Sequence, residues 1–344
     1  MNKKNLKILV LLGMVLAVVA SAGICQAADA ITLKYASLNP PGHTFSKADI
    51  DFFKKVEEET NNRVKFVPYW SGSLINIRET LTDVANGVCD IGMTVPAFSK
   101  GNPIFKGTTG FFYGIQDVRV MRRIAREIEK KFPEFLQEWD SVKPLRLNWG
   151  VDYQLFTRKN PVRSVKDLNG LQIKSSGIYV KILTRLGAVG VQVPMQETYI
   201  ALQKGIVDGC LAPYETLKSF RFGEVIKYST NLGFYGGPFY DISMNWDSWN
   251  RLPKDIQKAI EDNLEYWEEQ QYKYTLEHNE EGIALAKENN PEFELITLSK
   301  EEMKLINDAS EAECLLVAKE LDDQGIPGTQ MYREIRRLAE EYQK

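Results

Sequence analysis

Histidine and carboxylate side chains are the usual proton carriers of catalytic sites, and this 344-residue chain shows few of them in a catalytic arrangement. His43 lies in a predicted strand-to-helix turn, where it either contacts a ligand or begins the helix. His278, the other histidine, lies in an acidic helical stretch and is predicted to be exposed. Paired carboxylates such as Glu57 and Glu58 fall on predicted helix surfaces. Nucleophile-elbow, zinc-protease, phosphate-loop and dinucleotide motifs are absent, so the sequence supports no catalytic residue.

The cysteines give neither a metal site nor a complete disulfide framework. Cys25 lies in a predicted leader, and the other three are Cys89, Cys210 and Cys314. An odd number cannot be fully paired within one chain, and their spacing matches no zinc motif. We therefore predict no bound metal and no cofactor, with Cys89 and Cys210 as small buried residues.

Residues 1–27 have the layout of a secretory leader. Three lysines precede an uncharged run over 8–22, and the segment closes on Cys25, Gln26 and Ala27. We predict cleavage near Ala27 and a periplasmic mature protein. Lipidation of Cys25 is the alternative, and the bulky Ile24 before it disfavours that alternative.

Composition is that of an ordinary globular protein, with 44% hydrophobic and 26% charged residues. Removal of the leader takes away three lysines and no acids, which moves the formal net charge from −3 to −6. A basic surface for nucleic acid is therefore not predicted.

Two segments, 79–90 and 197–208, follow the same short plan. Each has apolar residues at helical spacing, then a glycine, a β-branched residue and an aspartate, which predicts a helix, a stop and a strand leading into the aspartate. A repeated unit of this kind indicates two similar α/β lobes. A generic helix-to-strand corner, used twice by chance, is the alternative interpretation.

The remaining pattern places these units in an α/β fold. A strand over Ile31–Ser37, a helix over Thr44–Thr60 and a strand over Val64–Tyr69 precede the first repeated segment, and this order requires a largely parallel sheet. Lys254–Glu288 has helical spacing with almost no Gly or Pro, which predicts one long helix or two abutting helices bracing both lobes.

Several short strings in this order are more specific than a generic α/β pattern. The most specific are Asp167-Leu-Asn-Gly-Leu-Gln-Ile-Lys174 and Tyr199 through Gly209. Others are Pro41-Gly-His43, Asn62 through Phe66, Ser71-Gly-Ser-Leu74, Val84 through Asp90 and Trp249 through Pro253. Together these strings resemble the soluble receptors of tripartite ATP-independent periplasmic (TRAP) transporters. The resemblance covers the whole mature chain.

The resemblance implies a two-lobed periplasmic binding protein with mixed, largely parallel sheets, a central ligand cleft and a long helix straddling both lobes. We assign residues 28–151 and 240–279 to lobe I, and residues 152–239 and 280–344 to lobe II. Such a receptor closes about a hinge around its solute.

The resemblance also identifies an anion site, from which this chain departs. The family usually has an arginine where this chain has Lys174, a second arginine near Gln154, and an asparagine where Ala212 stands. Arginine forks onto a carboxylate, whereas lysine is a point charge. Lys174 either holds the anion in place of the arginine or is a solvated strand end.

Apart from Glu215, the other residues placed near these positions are aromatic or uncharged, and each aromatic residue could equally fill a core. The complete set of candidate ligand-binding residues is His43, Tyr69, Trp70, Gln154, Lys174, Ser175, Tyr179, Tyr214, Glu215, Phe234 and Tyr235.

We therefore expect an extracytoplasmic receptor that captures a small organic acid, aromatic acids included, and delivers it to integral-membrane TRAP permease subunits. An exported ligand-sensing protein on the same fold is the first alternative. An exported enzyme is the second, because a fold does not fix a function.

Overall fold

The structure is a computed structural model that describes residues 30–95, 101–115, 117–149, 151–235 and 238–343. The predicted leader, residues 1–27, lies outside the described residues. Two β-sheets carry the fold, and helices cover both of them.

The first sheet has five strands in the order β2-β1-β3-β10-β4. Strands β2, β1 and β3 are parallel, and β10 pairs antiparallel with both β3 and β4. The strands are β1 (Ile31–Ala36), β2 (Val64–Tyr69), β3 (Ile91–Thr94), β4 (Lys143–Trp149) and β10 (Pro238–Met244).

The second sheet has six strands in the order β11-β9-β5-β8-β6-β7. Its outer pairs are parallel, and β5 runs antiparallel between β9 and β8. The strands are β5 (Asp152–Thr157), β6 (Gln172–Lys174), β7 (Val189–Val191), β8 (Gly209–Ala212), β9 (Tyr228–Tyr235) and β11 (Glu294–Thr297).

Thirteen described α-helices connect and cover these strands. They are α1 (Thr44–Glu59), α2 (Thr80–Ala85), α3 (Pro103–Thr108), α4 (Val118–Lys131), α5 (Glu134–Gln137), α6 (Ile178–Arg185), α7 (Met195–Lys204), α8 (Thr216–Ser219), α9 (Trp246–Asn250), α10 (Lys254–Asp262), α11 (Leu264–Asn289), α12 (Lys300–Asp322) and α13 (Gly328–Tyr342).

The two repeated segments adopt equivalent structures, one in each sheet. Gly87 and Gly205 follow their helices with φ values of 73° and 72°. The carboxylate of Asp90 accepts a hydrogen bond from the Lys34 backbone N–H on β1, 2.7 Å away. That of Asp208 accepts one from the Gln172 N–H on β6, 2.9 Å away.

The strands of these segments begin later than predicted. Both were expected before the aspartate, yet β3 and β8 begin directly after Asp90 and Asp208. Each aspartate also donates its own backbone N–H to the neighbouring strand, to Lys34 and to Gln172 respectively. The residues between the glycine and the aspartate therefore form a turn and are not part of the strand.

His43 caps the N-terminus of helix α1, where its Nδ1 accepts a hydrogen bond from the Phe45 backbone N–H at 3.2 Å. A side-chain acceptor at this position satisfies an N–H group that the helix itself cannot pair. The buried face of α1 packs on the long helix α11, where Phe52 stacks on Trp267 with ring centroids 3.9 Å apart. This contact ties α1 to α11.

The predicted long helical region consists of two abutting helices, α10 and α11, separated at Asn263. Helix α11 packs against α1 beside the first sheet and against α8 beside the second. The expectation of a long helix straddling both lobes is confirmed. Sandwiched between the two packing surfaces, His278 is only 3% exposed, so the prediction of an exposed His278 was wrong.

The described chain passes from one sheet to the other at three places, the last of them through α9, α10 and α11 between β10 and β11. Strand β4 ends at Trp149 and β5 begins at Asp152, while β9 ends at Tyr235 and β10 begins at Pro238. The lobe boundaries proposed from the sequence stay a prediction. None of the helices in the described ranges is long and apolar enough to cross a membrane.

Candidate functional site

Lys174 and Gln154 share one face of the second sheet. Lys174 pairs with Cys210 across β6 and β8, and Gln154 pairs with Ala212 across β5 and β8. Paired residues point to the same side of a sheet, as do residues two apart on one strand. Cys210 and Ala212 are therefore small side chains lying between the two polar ones.

Both polar residues lie toward the edge of the sheet where the parallel strands β6 and β8 end. Loops at the carboxyl ends of parallel strands form the usual ligand crevice of open α/β sheets. The chain after β6 leads to Ser175, and the chain after β8 leads to Tyr214 and Glu215. Five of the predicted site residues are thus brought to this edge.

Lys174 is a buried cation, with 7% of its surface exposed. Burial lowers the pKa of its amine below the ordinary value of a lysine, because a charged group loses solvation there. Within the described residues no carboxylate lies within ion-pair distance of it, and no hydrogen-bond acceptor meets its Nζ. The interpretation of Lys174 as a solvated strand end does not fit this environment.

Gln154 is 1% exposed, and only one of its two polar side-chain atoms has a hydrogen-bond partner. Its Nε2 donates to Oδ2 of Asp152 at 3.1 Å, whereas its Oε1 is buried without a donor. Burial raises the pKa of Asp152, and the hydrogen bonds from its own backbone and from Gln154 oppose that rise. A buried amide oxygen without a donor costs about 1–3 kcal/mol, so this atom needs a partner.

Ser175 adds a third buried polar group at the end of β6. Its backbone N–H donates to the Val191 carbonyl at 3.0 Å, which continues the β6–β7 pairing. Its hydroxyl is buried with no hydrogen-bond partner in the described parts of the chain. A hydroxyl can donate and accept, so it complements either end of a polar solute.

His43 and Glu215 meet between the two sheets. Nε2 of His43 lies 3.4 Å from Oε1 of Glu215, and Oε2 of Glu215 accepts from the Ser219 hydroxyl at 2.6 Å. Burial pushes the pKa of Glu215 up, but the charges and hydrogen bonds of His43, Ser219 and His278 outweigh it and hold the pKa below its usual range. Both side chains are therefore held in place by polar contacts within the protein.

Tyr179, Phe234 and Tyr235 belong to a hydrophobic core and are not brought together with Lys174. Tyr179 and Phe234 lie with ring centroids 4.9 Å apart, and the Tyr179 hydroxyl donates to the Tyr235 carbonyl. Phe234 pairs with Tyr153, the neighbour of Gln154 on β5 that points to the opposite face of the sheet. Their packing on that face gives these aromatics a structural role.

The other aromatic candidates are half-buried near strand ends. Tyr69 ends β2 in the first sheet and Trp70 follows it, with the Trp70 ring edge-to-face against Tyr35 at a centroid distance of 5.6 Å. The Tyr214 hydroxyl accepts from Ser229 at 3.3 Å, beside the second sheet. Tyr214 is the aromatic candidate on the loop that also carries Glu215.

Sequence reasoning missed a buried charge in the first sheet. Arg146 on β4 is 2% exposed, its Nη2 lies 3.7 Å from Asp49, and its guanidinium stacks on Trp267 at 4.3 Å. Burial raises the pKa of Asp49, against the opposing effects of Arg146, Tyr35 and Trp267. An arginine among the apolar residues of a predicted strand was the available signal.

No group of three or more histidine, cysteine, aspartate or glutamate side chains suited to a metal ion occurs in the described ranges. Cys89, Cys210 and Cys314 are buried free thiols.

Comparison with known proteins assigns this fold. The family model described as "Bacterial extracellular solute-binding protein, family 7" matches residues 35–318. A monocarboxylate 2-oxoacid-binding periplasmic protein of Nostoc sp. is 28% identical over 60% of this chain and 58% of its own length. The C4-dicarboxylate-binding periplasmic protein DctP of Rhodobacter capsulatus is 25% identical over 68% of this chain and 71% of its own.

Solved structures show the same architecture. A TRAP periplasmic solute-binding protein of Desulfovibrio salexigens has 29% identity and a TM-score of 0.76, covering 92% of this chain and 97% of that one. A marine metagenome TRAP protein specific for aromatic acids, solved with 3-hydroxybenzoate, has 22% identity and a TM-score of 0.80, covering 92% and 100%. The predicted two-lobed fold is confirmed by these likenesses.

Proposed function

Because the chain belongs to family 7 of the bacterial extracellular solute-binding proteins, we propose that it captures a small organic acid between two lobes for a TRAP transporter. The receptor family inferred from the sequence is confirmed by the family match. The proposal extends this to the residues and to the membrane partner: Lys174 holds the acid, and TRAP permease subunits receive it.

The observation that carries the proposal is the buried, unpaired amine of Lys174. A buried cation is costly unless an opposite charge accompanies it. A carboxylate that enters the site supplies the missing charge, and it does so without an arginine fork. Binding thus relieves an electrostatic cost that the free receptor carries.

Neighbouring groups support a small polar solute. Gln154 and Ser175 each hold a buried polar atom without a partner, and they lie on the same sheet edge as Lys174. Tyr214 offers an aromatic surface on the adjoining loop. The relatives named above are described as binders of 2-oxo acids, dicarboxylates and aromatic acids, all of which carry a carboxylate.

The remaining parts of the proposal follow from the receptor role. Two lobes joined by a few crossing segments can close on a solute by rotating about a hinge, and the His43–Glu215 contact would tie them when closed. The mature protein works in the periplasm after cleavage near Ala27. It binds its solute without converting it.

Mass spectrometry of small molecules released by denaturing the freshly purified protein tests the proposal. We expect an organic acid, which on re-addition raises the melting temperature by mass action and is recovered unchanged after incubation. A neutral or cationic molecule, or conversion of the acid, would contradict the proposal. Uptake of the acid by liposomes that carry the permease separates a transport receptor from a sensor.

A further inference from the structure

The amide of Gln154 holds a buried acceptor without a donor at the candidate binding site. Its Nε2 donates one hydrogen bond to Oδ2 of Asp152 at 3.1 Å, whereas its Oε1 is left buried and unpaired. We infer that the solute is a carboxylic acid that also carries a hydroxyl or amino hydrogen, which it donates to Oε1 of Gln154. This inference rests on the proposed function and specifies its substrate class.

The orientation of the amide follows from its neighbour. Oδ2 of Asp152 accepts the hydrogen bond from Nε2, and a carboxylate oxygen is an acceptor, so Asp152 faces the NH₂ end of Gln154. The carbonyl end then points away from Asp152. If the amide were turned over, two acceptors would face each other at 3.1 Å, and two donors would be left without acceptors.

The available groups divide into two complementary ends. Lys174 offers only donors when charged, and Gln154 offers an acceptor in this orientation. Their Cα atoms are two strands and two register positions apart, which is roughly 12 Å from standard sheet spacings. Small residues, Cys210 and Ala212, lie between them on β8. A short solute with a carboxylate at one end and a donor near it matches this arrangement.

The donors of Lys174 and the acceptor of Gln154 together discriminate between acids that share a carbon skeleton. A 2-hydroxy acid satisfies both Lys174 and Gln154, whereas its deoxy analogue leaves Oε1 unpaired. A 2-oxo acid brings a second acceptor toward Oε1 and is disfavoured further. A missing hydrogen bond to a buried partner is the kind of difference that yields strong selectivity.

Isothermal titration with mandelate, phenylacetate, phenylglyoxylate and phenylglycine tests the inference on one skeleton, and lactate, propionate, pyruvate and alanine repeat it on a smaller one. We expect the hydroxy or amino acid to bind about 10- to 100-fold more tightly than the deoxy acid. Comparing the hydroxy with the amino acid identifies which donor the site takes.

Two variants tie the preference to Gln154. Gln154→Met keeps the side-chain length and removes the acceptor, so the preference should shrink to within threefold. Asp152→Asn allows the amide of Gln154 to turn over, so the affinity for the oxo acid should rise relative to the affinity for the hydroxy acid. Gln172→Met, an exposed glutamine on β6, is the matched control and should keep the wild-type preference.

Three outcomes overturn the inference. Equal affinities for acids that carry the donor and acids that lack it would overturn the inference and leave the proposed receptor role intact. A hydroxyl preference that survives in Gln154→Met would assign it to a different acceptor. If no acid of either set, nor any acid released from the purified protein, binds at all, the proposed function fails together with the inference.

Discussion

Nε2 of His43 lies 3.4 Å from Oε1 of Glu215, and the contact joins the start of α1 beside the first sheet to the loop after β8 of the second. Because Nδ1 of His43 accepts the helix N–H of Phe45, a neutral His43 carries its proton on Nε2, on the side that faces Glu215. The two side chains thus form a polar contact between the two sheets, with the carboxylate on the acceptor side.

Glu215→Gln should destabilise the protein in a pH-dependent way. The pKa of Glu215 lies below its ordinary value in the folded state, so its charge contributes stability that is fully present above the unfolded pKa, near 4.5. That contribution is lost as the pH falls through the folded pKa. We expect a loss of about 1–3 kcal/mol at pH 7 and a smaller loss at pH 3.5.

Urea unfolding at both pH values measures this difference. Glu292→Gln, which removes an exposed carboxylate paired with Lys227, is the control and should change stability by less than ~0.5 kcal/mol. Equal destabilisation of Glu215→Gln at the two pH values would show that the charge of Glu215 has no part in the contact.

Gly209→Ala should disrupt the second sheet. A Cβ atom at this position would lie 2.3 Å from the Phe156 carbonyl oxygen and 3.0 Å from Cγ2 of Thr157. Backbone cannot yield as a side chain can, so we expect a loss of more than ~3 kcal/mol and the loss of ligand binding, measured by thermal unfolding and titration. Gly42→Ala, with no atom within 4 Å of the added Cβ, should leave the melting temperature within a few degrees. Similar melting temperatures for both variants would contradict the placement of β8 against β5.

The three buried cysteines should be unreactive in the folded protein. Burial raises the pKa of Cys89 and of Cys210 to about 12, and it raises that of Cys314 as well. Thiolates are the reactive species, so a thiol reagent at pH 8 should modify none of them until the protein unfolds. Unfolding should then release three thiols from the mature protein. A fourth thiol would mean that Cys25, and with it the leader, is retained.

The order of the elements could be predicted because hydrophobic spacing and glycine positions are local properties. The repeated segments show this well, since Gly87 and Gly205 end their helices in both sheets as their sequences indicate. The start of each strand could not be predicted, because it depends on the hydrogen bonds that Asp90 and Asp208 make to neighbouring strands. Those strands are distant in sequence.

Burial and orientation were harder to predict than the elements themselves. His278 is surrounded in sequence by acidic residues, yet α11 lies between two lobes and leaves its side chain almost no solvent. The position of Gln154 near the site could be inferred from family resemblance. The direction of its amide could not, because it depends on Asp152 and on which face of β5 meets the ligand.

Lys174→Met should have two opposite effects, because Lys174 is buried and unpaired in the free protein. Methionine keeps most of the stem and removes the charge. The free variant should therefore be more stable than wild type, by about 1–3 kcal/mol, since a costly buried charge is gone. Thermal and urea unfolding of the ligand-free proteins measure this effect.

Ligand binding by the same variant should weaken strongly. A bound carboxylate would lose its partner in a desolvated site, which commonly costs about 2–5 kcal/mol, or ~30-fold to several-thousand-fold in affinity. Isothermal titration with the acid released from the wild-type protein measures the loss. Lys166→Met, an exposed lysine between β5 and β6, is the matched control and should bind as wild type does.

The two measurements together separate a ligand-binding lysine from a structural one. A structural lysine would leave affinity within threefold of wild type, and Gln154, Ser175 and backbone groups would then have to hold the solute. In that case a neutral or weakly anionic solute would fit the site better than a carboxylate. A variant that is both more stable and poorly binding would instead show that the free receptor carries the cost of a buried charge that its solute removes.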